Sequence, residues 1–177
     1  MPKRVINSAG DQFFLSDSSQ FYFAALPEPK QLRYTFNTDH RQGEETLSLL
    51  DVAFDSLAWI RDVERDAPAP RFSWTFEDDG SIRVVAADAP DAVYLVQATN
   101  PFARDFRLET IGEAWMRTLL PSLGNGVYVG FVPPPTRGWS AFAVELVFNA
   151  RSFERQTLTT DVRVTPATLP FAGTACR

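Results

Sequence analysis

The chain is poor in the residues that proteins use for covalent staples and for metal or acid–base chemistry. It has one cysteine and one histidine in 177 residues. Cys176 alone cannot close an internal disulfide, and one Cys with one His cannot build a zinc cluster, so neither a metal nor a cofactor is expected. Basic residues are in deficit as well: 17 Lys and Arg stand against 22 Asp and Glu, a net charge of −5. Polyphosphate backbones attract the opposite balance, and no nucleic-acid partner is expected. No apolar run approaches the ~20 residues of a membrane-spanning helix. The opening MPKRVINSAG also lacks the ~7–15 consecutive apolar residues of a secretory signal. The chain opens instead inside what reads as a strand, as the later part of a larger protein would.

Core material is plentiful. The sequence is 45% hydrophobic, with fifteen Phe and four Trp. Ala67-Pro68-Ala69-Pro70 can continue neither helix nor strand and divides the chain. Residues 1–66 alternate strand and helix. A β-prone run over 4–8 ends at Gly10. A segment over 18–26 follows the cap candidates Ser16 and Asp17, reads as helix and stops at Pro27. A second strand covers 32–36, and a polar loop from Asn37 to Gly43 leads to a helix over 44–65. There Leu47, Leu50, Phe54, Leu57 and Ile60 recur at three- and four-residue spacing as one apolar stripe. Strand–helix–strand–loop–helix is the unit of a parallel α/β sheet, and two strands alone leave it with a bare edge. Self-association through that exposed edge is expected.

From 70 to 166 the period changes to two. Residues 72–76, the turn Asp78-Asp79-Gly80 and residues 82–85 read as a hairpin. Further strands fall at 93–99, 127–132, 139–148 and 158–164. Along 139–148, Phe142, Val144, Leu146 and Phe148 share one face. The pattern is that of an antiparallel β-sandwich followed by a tail over 167–177; residues 111–120 fit either helix or strand. The fold class is therefore an α/β fragment, the end of a parallel sheet, followed by a β-sandwich.

Two loop residues carry the chemistry. Asp11 follows the first strand and His40 the second, so parallel strands would bring both to the carboxyl edge where α/β sheets place their sites. A carboxylate that orients an imidazole is the rear part of a Ser-His-Asp system, and acid before histidine is the chain order of α/β-hydrolases. The plainer reading makes Asp11 a turn cap and His40 an exposed loop residue. No Gly-x-Ser-x-Gly occurs, and Ser8, Ser16, Ser18 and Ser19 lie on no strand–elbow–helix pattern, so the nucleophile is missing. Arg104 and Arg107 read either as a structural brace at a sheet corner or as a site for an anionic ligand. Trp74, Trp115 and Trp139 read as packing or as a stacking platform. Glu44-Glu45 and Asp78-Asp79 read as solvated charge, not as metal ligands.

Several of these residues also form recognisable motifs. Gly10-Asp11-Gln12-Phe13-Phe14, Asp17-Ser18-Ser19, Leu32-Arg33-Tyr34 and Asn37-Thr38-Asp39-His40 occur in this order. Gln97-Ala98-Thr99-Asn100-Pro101, Arg104-Asp105-Phe106-Arg107 and Gly138-Trp139-Ser140-Ala141-Phe142 follow. Together, from residue 3 to 171, the chain resembles the C-terminal part of the PhoPQ-activated pathogenicity-related protein family. The resemblance implies an α/β-hydrolase-like main domain ahead of a β-rich region, with Asp11 and His40 as the acid and histidine of its triad. It also implies an exported bacterial protein, periplasmic or secreted, linked to virulence and acting on a small-molecule or peptide substrate. The nucleophile elbow and signal peptide of that family have no counterpart in these 177 residues, so no activity is expected of this chain by itself. The competing function is a non-catalytic β-sandwich binding module.

Overall fold

The computed structural model describes residues 1–43, 47–152 and 154–170; Glu44, Glu45 and Cys176 lie outside the described residues. The protein is mostly β, with few helices and with antiparallel sheets as its bulk. Strands β1 (Lys3–Ser8) and β2 (Lys30–Thr35) pair in parallel, from Lys3 opposite Lys30 to Ser8 opposite Thr35. They form a two-stranded sheet of their own.

The link between them departs from the helix expected over 18–26. It folds as two 3₁₀ turns, Ser18–Phe21 and Phe23–Ala25. A helix needs a capped nucleus, and isolated short ones are marginal. Here the Asp17 side chain makes no cap hydrogen bond and instead accepts one from Arg104 at 2.5 Å. The Tyr22 hydroxyl is likewise drawn away, accepting from Asn7 Nδ2 at 2.8 Å.

The expected long helix is present as α1 (Leu47–Glu64). Its apolar stripe faces outward: Leu50, Phe54, Leu57 and Ile60 are all exposed, Phe54 by 60%. The buried face carries Val52, Asp55 and Ala58. Buried charge is tolerated only when it is paired and hydrogen-bonded, and the partners are in place. Asp55 accepts hydrogen bonds from Arg4 and from the Thr157 N–H at 2.7 Å, and forms an ion pair with Arg33 Nη1 at 2.5 Å. Asp51 accepts from Arg33 and from Arg155 at 3.0 Å, and Asp62 accepts from Gln156. This polar seam fixes which side of α1 turns inward.

Beyond the Pro-rich link come strands β3 (Phe72–Phe76), β4 (Ile82–Ala86) and β5 (Ala92–Asn100), helix α2 (Leu108–Ile111), and strands β6 (Met116–Leu119), β7 (Val127–Gly130), β8 (Trp139–Phe148), β9 (Gln156–Thr159) and β10 (Arg163–Thr165). They form a three-stranded sheet, β3-β4-β7, and a five-stranded sheet, β10-β8-β5-β6, with β9 also on β8. All of these pairings are antiparallel. The ambiguous stretch 111–120 holds both kinds of element, since Gly112, at φ 63°, ends α2 before β6 begins. The strand expected over 158–164 is broken into β9 and β10. Between the pairs Phe142–Arg163 and Glu145–Thr159, β8 spans two residues and its partner three. The extra residue is a bulge, and within it Asp161 accepts a hydrogen bond from Ser19 Oγ at 2.5 Å.

β8 separates two cores. Phe142, Val144, Leu146 and Phe148 pack with Ile82, Val84, Val93 and Leu158 between the two antiparallel sheets. On its other face Ala141 and Ala143 join Val96, Ala98, Phe106, Trp115 and Val164. Ala9, Phe23, Leu32 and Tyr34 of the first segment complete that second core.

A candidate catalytic dyad at the strand ends

Parallel pairing carries the carboxyl ends of β1 and β2 to one edge. Just past β1 the chain must pass close to its neighbours. At Gly10 a Cβ would lie 2.5 Å from the Thr38 carbonyl oxygen and 2.9 Å from the Leu108 nitrogen, so only glycine fits. The next residue is Asp11, which is buried. Its Oδ1 accepts from the backbone N–H groups of Phe13 at 2.7 Å and Phe14 at 3.1 Å, an Asx turn that fixes the carboxylate.

The second oxygen, Oδ2, lies 2.8 Å from Nδ1 of His40. Asp11 and His40, expected at the same edge, are thus in direct contact. The histidine loop is held from below by Thr38, whose hydroxyl lies 2.8 Å from those of Ser8 and Thr35. It is held from the side by Gln12, whose Oε1 accepts the His40 backbone N–H at 3.0 Å. The Phe13 ring meets the imidazole edge-on at 4.9 Å, and Phe14 lies at 6.1 Å. His40 itself is half-exposed. With Nδ1 committed to Asp11, Nε2 is the nitrogen left for a reacting group.

Burial opposes the charged form of Asp11. The hydrogen bonds from His40, Phe13 and Phe14 outweigh it and hold the carboxyl below its ordinary value of 3.8. Asp11 is therefore an anion at neutral pH, able to orient the ring and to stabilise an imidazolium.

Three of the four serines near the dyad are engaged elsewhere, and Ser18 lies in the first 3₁₀ turn with no hydrogen bond to His40. Ser8 Oγ hydrogen-bonds the Thr38 carbonyl, Ser16 Oγ the Ala9 carbonyl, and Ser19 Oγ pairs with Asp161 and Tyr34. Among the described residues no serine hydrogen-bonds His40. Arg104 and Arg107 lie on the β5–α2 connection. Arg104 is half-buried against Asp17, while Arg107 pairs with Asp105 at 2.6 Å and Glu109 at 2.7 Å. Of the tryptophans, Trp74 stacks with Phe23 and Phe72, Trp115 is buried, and Trp139 Nε1 donates to the Thr168 carbonyl at 3.1 Å. Asp79 accepts from the Ser81 N–H and hydroxyl, as a turn residue does.

Gln12, Asp17 and Asn37 hold the two loops; the sequence pattern marks Asp17 only as a helix cap and gives Gln12 and Asn37 no role at the site. Asn37 offered one local signal, an asparagine at a strand end, where it adopts a left-handed φ of 55°. Among the described residues no group of three His, Cys, Asp or Glu could hold a metal ion. No described helix is long and apolar enough to cross a membrane.

Comparison with known proteins agrees with the motifs up to Arg107. Autocrine proliferation repressor protein A of Dictyostelium discoideum is 27% identical over 200 aligned residues, which cover 98% of this chain and 40% of that relative. The chain thus spans about two fifths of the relative's length. No solved structure matches. The family model described as PhoPQ-activated pathogenicity-related protein matches residues 1–107, the parallel pair, the dyad and the strands through β5. The chain belongs to the PhoPQ-activated pathogenicity-related protein family.

Proposed function

We propose that this chain is the C-terminal portion of an α/β-hydrolase-like protein whose acid and base are Asp11 and His40. The observation that carries the reading is the 2.8 Å contact between Asp11 Oδ2 and His40 Nδ1, with Oδ1 locked by two backbone N–H groups. In a Ser-His-Asp system the histidine takes the hydroxyl proton at Nε2 and later returns it to the leaving group. Asp11 keeps the ring in the Nδ1–H tautomer and stabilises the charged form. The nucleophile and the oxyanion donors would come from residues outside this chain. Two features support a missing layer: the outer edge of β1, which has no strand beside it among the described residues, and the exposed apolar stripe of α1. In this reading residues 1–66 are the end of the hydrolase-like domain, and 70–166 are the β domain packed beneath it. By family resemblance the whole protein would be exported and act on a small-molecule or peptide substrate.

The pure chain should give no turnover of activated short-chain esters. One general base assisting water is worth only ~10²–10⁴-fold. Robust turnover that His40→Ala abolishes would place the nucleophile within the chain and overturn the fragment reading.

One feature favours the second reading, a non-catalytic binding module. A cleft of about 940 Å³ lies between α1, β3 and the start of β2, walled by Phe23, Trp59, Phe72 and Trp74. Saturable binding of indole in that cleft, equal in the parent chain and in His40→Ala, would support it.

A further inference from the structure

The loops that carry Asp11 and His40 belong to the first segment, yet the β region grips them too. Before Asp11, the Gly10 carbonyl accepts the Leu108 N–H at 3.0 Å. At the far end of the same loop, Asp17 accepts from Arg104 Nη2 at 2.5 Å, with side chains only 5% and 13% exposed. The histidine loop is gripped in a second way. Asn37 Oδ1 accepts the Trp115 N–H at 2.9 Å, and its Nδ2 donates to the Trp115 carbonyl at 3.0 Å. One amide thus satisfies both backbone groups of one residue, as a ladder partner would. Phe36 packs on the Trp115 ring at 5.0 Å beside it.

The gripping segment is itself stiff. Asn100 Oδ1 accepts the N–H groups of Phe102 and Ala103, and its Nδ2 donates to the Asp105 carbonyl at 2.7 Å. Asp105 in turn accepts from the Arg107 N–H and from Thr110 Oγ1, both at 3.1 Å. A rigid piece therefore touches both catalytic loops at three points, whereas the dyad itself hangs on one side-chain hydrogen bond. Misplacing such a pair by about 1 Å is enough to cost a catalyst orders of magnitude.

We propose that the segment from Asn100 to Trp115 is the clamp that aligns the dyad, with Arg104 and Asn37 as positioning residues acting through Asp17 and the His40 loop. The inference rests on the reading of Asp11 and His40 as a dyad. It gives the β region a role in the chemistry: it sets the register of acid against base.

The single histidine makes the test direct. In the ¹⁵N-labelled full chain, the ring nitrogens of His40 report the ratio of Nδ1–H to Nε2–H tautomers at about pH 9, where an ordinary imidazole is neutral. The parent should hold the Nδ1–H form. Asn37→Ala and Arg104→Met should lower that ratio by about tenfold, the equivalent of one charge-assisted hydrogen bond, while the sheet amides stay dispersed. Arg104→Lys should restore most of it. An unchanged ratio in folded Asn37→Ala and Arg104→Met overturns the clamp. If Arg104→Met does not fold, Asn37→Ala decides alone by the same two outcomes. Failure of the dyad reading looks different: the parent would show no Nδ1–H preference, or Asp11→Asn would leave it unchanged.

Discussion

β8 and α1 solve the same problem in opposite ways. β8 is buried from Ser140 to Phe148, with aromatic and branched side chains toward one core and alanines toward the other. α1 leaves Leu50, Phe54, Leu57 and Ile60 in water and buries Asp55 against two arginines. Apolar burial holds the strand; a paired-charge seam holds the helix. Non-directional burial tolerates small shifts, but a buried ion network fails when one member is lost. A helix with its apolar stripe outward also marks a surface that more protein would cover.

The largest test of that contrast removes one region. Without residues 1–66, the core beneath β8 loses Ala9, Phe23, Leu32 and Tyr34, while the core between the two sheets stays whole. The segment 70–166 should keep a dispersed amide spectrum with a much lower unfolding midpoint. An unfolded spectrum would contradict the division. Next in size, Phe142→Ala should cost ~3–5 kcal/mol in denaturant unfolding, whereas Phe54→Ala should stay within ~0.5 kcal/mol. Similar losses would erase the distinction between the two elements. Asp55→Asn leaves the Arg4 and Arg33 guanidiniums without their shared carboxylate and should cost ~3–5 kcal/mol, as breaking a buried pair does. A loss below ~1 kcal/mol would make it an ordinary surface bridge.

The smallest effect is in pH. The folded Asp11 carboxyl titrates below 3.8, so its contribution to stability is present above 3.8 and is lost as pH falls through the folded value. Asp11→Asn should flatten the acid limb of the stability curve there. Glu145 has the opposite sign: burial, against the pull of Arg117, raises it above 4.5, so its ionisation opposes folding as pH rises. Glu145→Gln should therefore gain relative stability toward neutral pH, and a loss would reverse that assignment.

How far the sequence could be read depended on whether a feature was local. The one-face pattern of Phe142, Val144, Leu146 and Phe148 sits within one strand and matches the core between the sheets. The contact between Asp11 and His40 was legible because each follows a strand, and parallel pairing carries both loops to one edge. The orientation of α1 was not legible. Its spacing marks a helix, but the side that turns inward depends on Arg4, Arg33 and Arg155, all distant in the chain. The clamp was hidden for the same reason: Asn37 and Trp115 are 78 residues apart, and Asp17 and Arg104 are 87 apart. At Asp17 a cap reading gave way to that distant guanidinium, and the expected helix became two 3₁₀ turns.

The central claim is that Asp11 holds His40 with its proton on Nδ1, leaving Nε2 to take a proton from a nucleophile. The most direct measurement is the ¹⁵N spectrum of the single histidine ring in the parent chain and in Asp11→Asn. The account predicts a dominant Nδ1–H tautomer in the parent, with a far-downfield ring proton, and its loss in the variant. A ring protonated mainly on Nε2, with the same spectrum in both proteins, would contradict it.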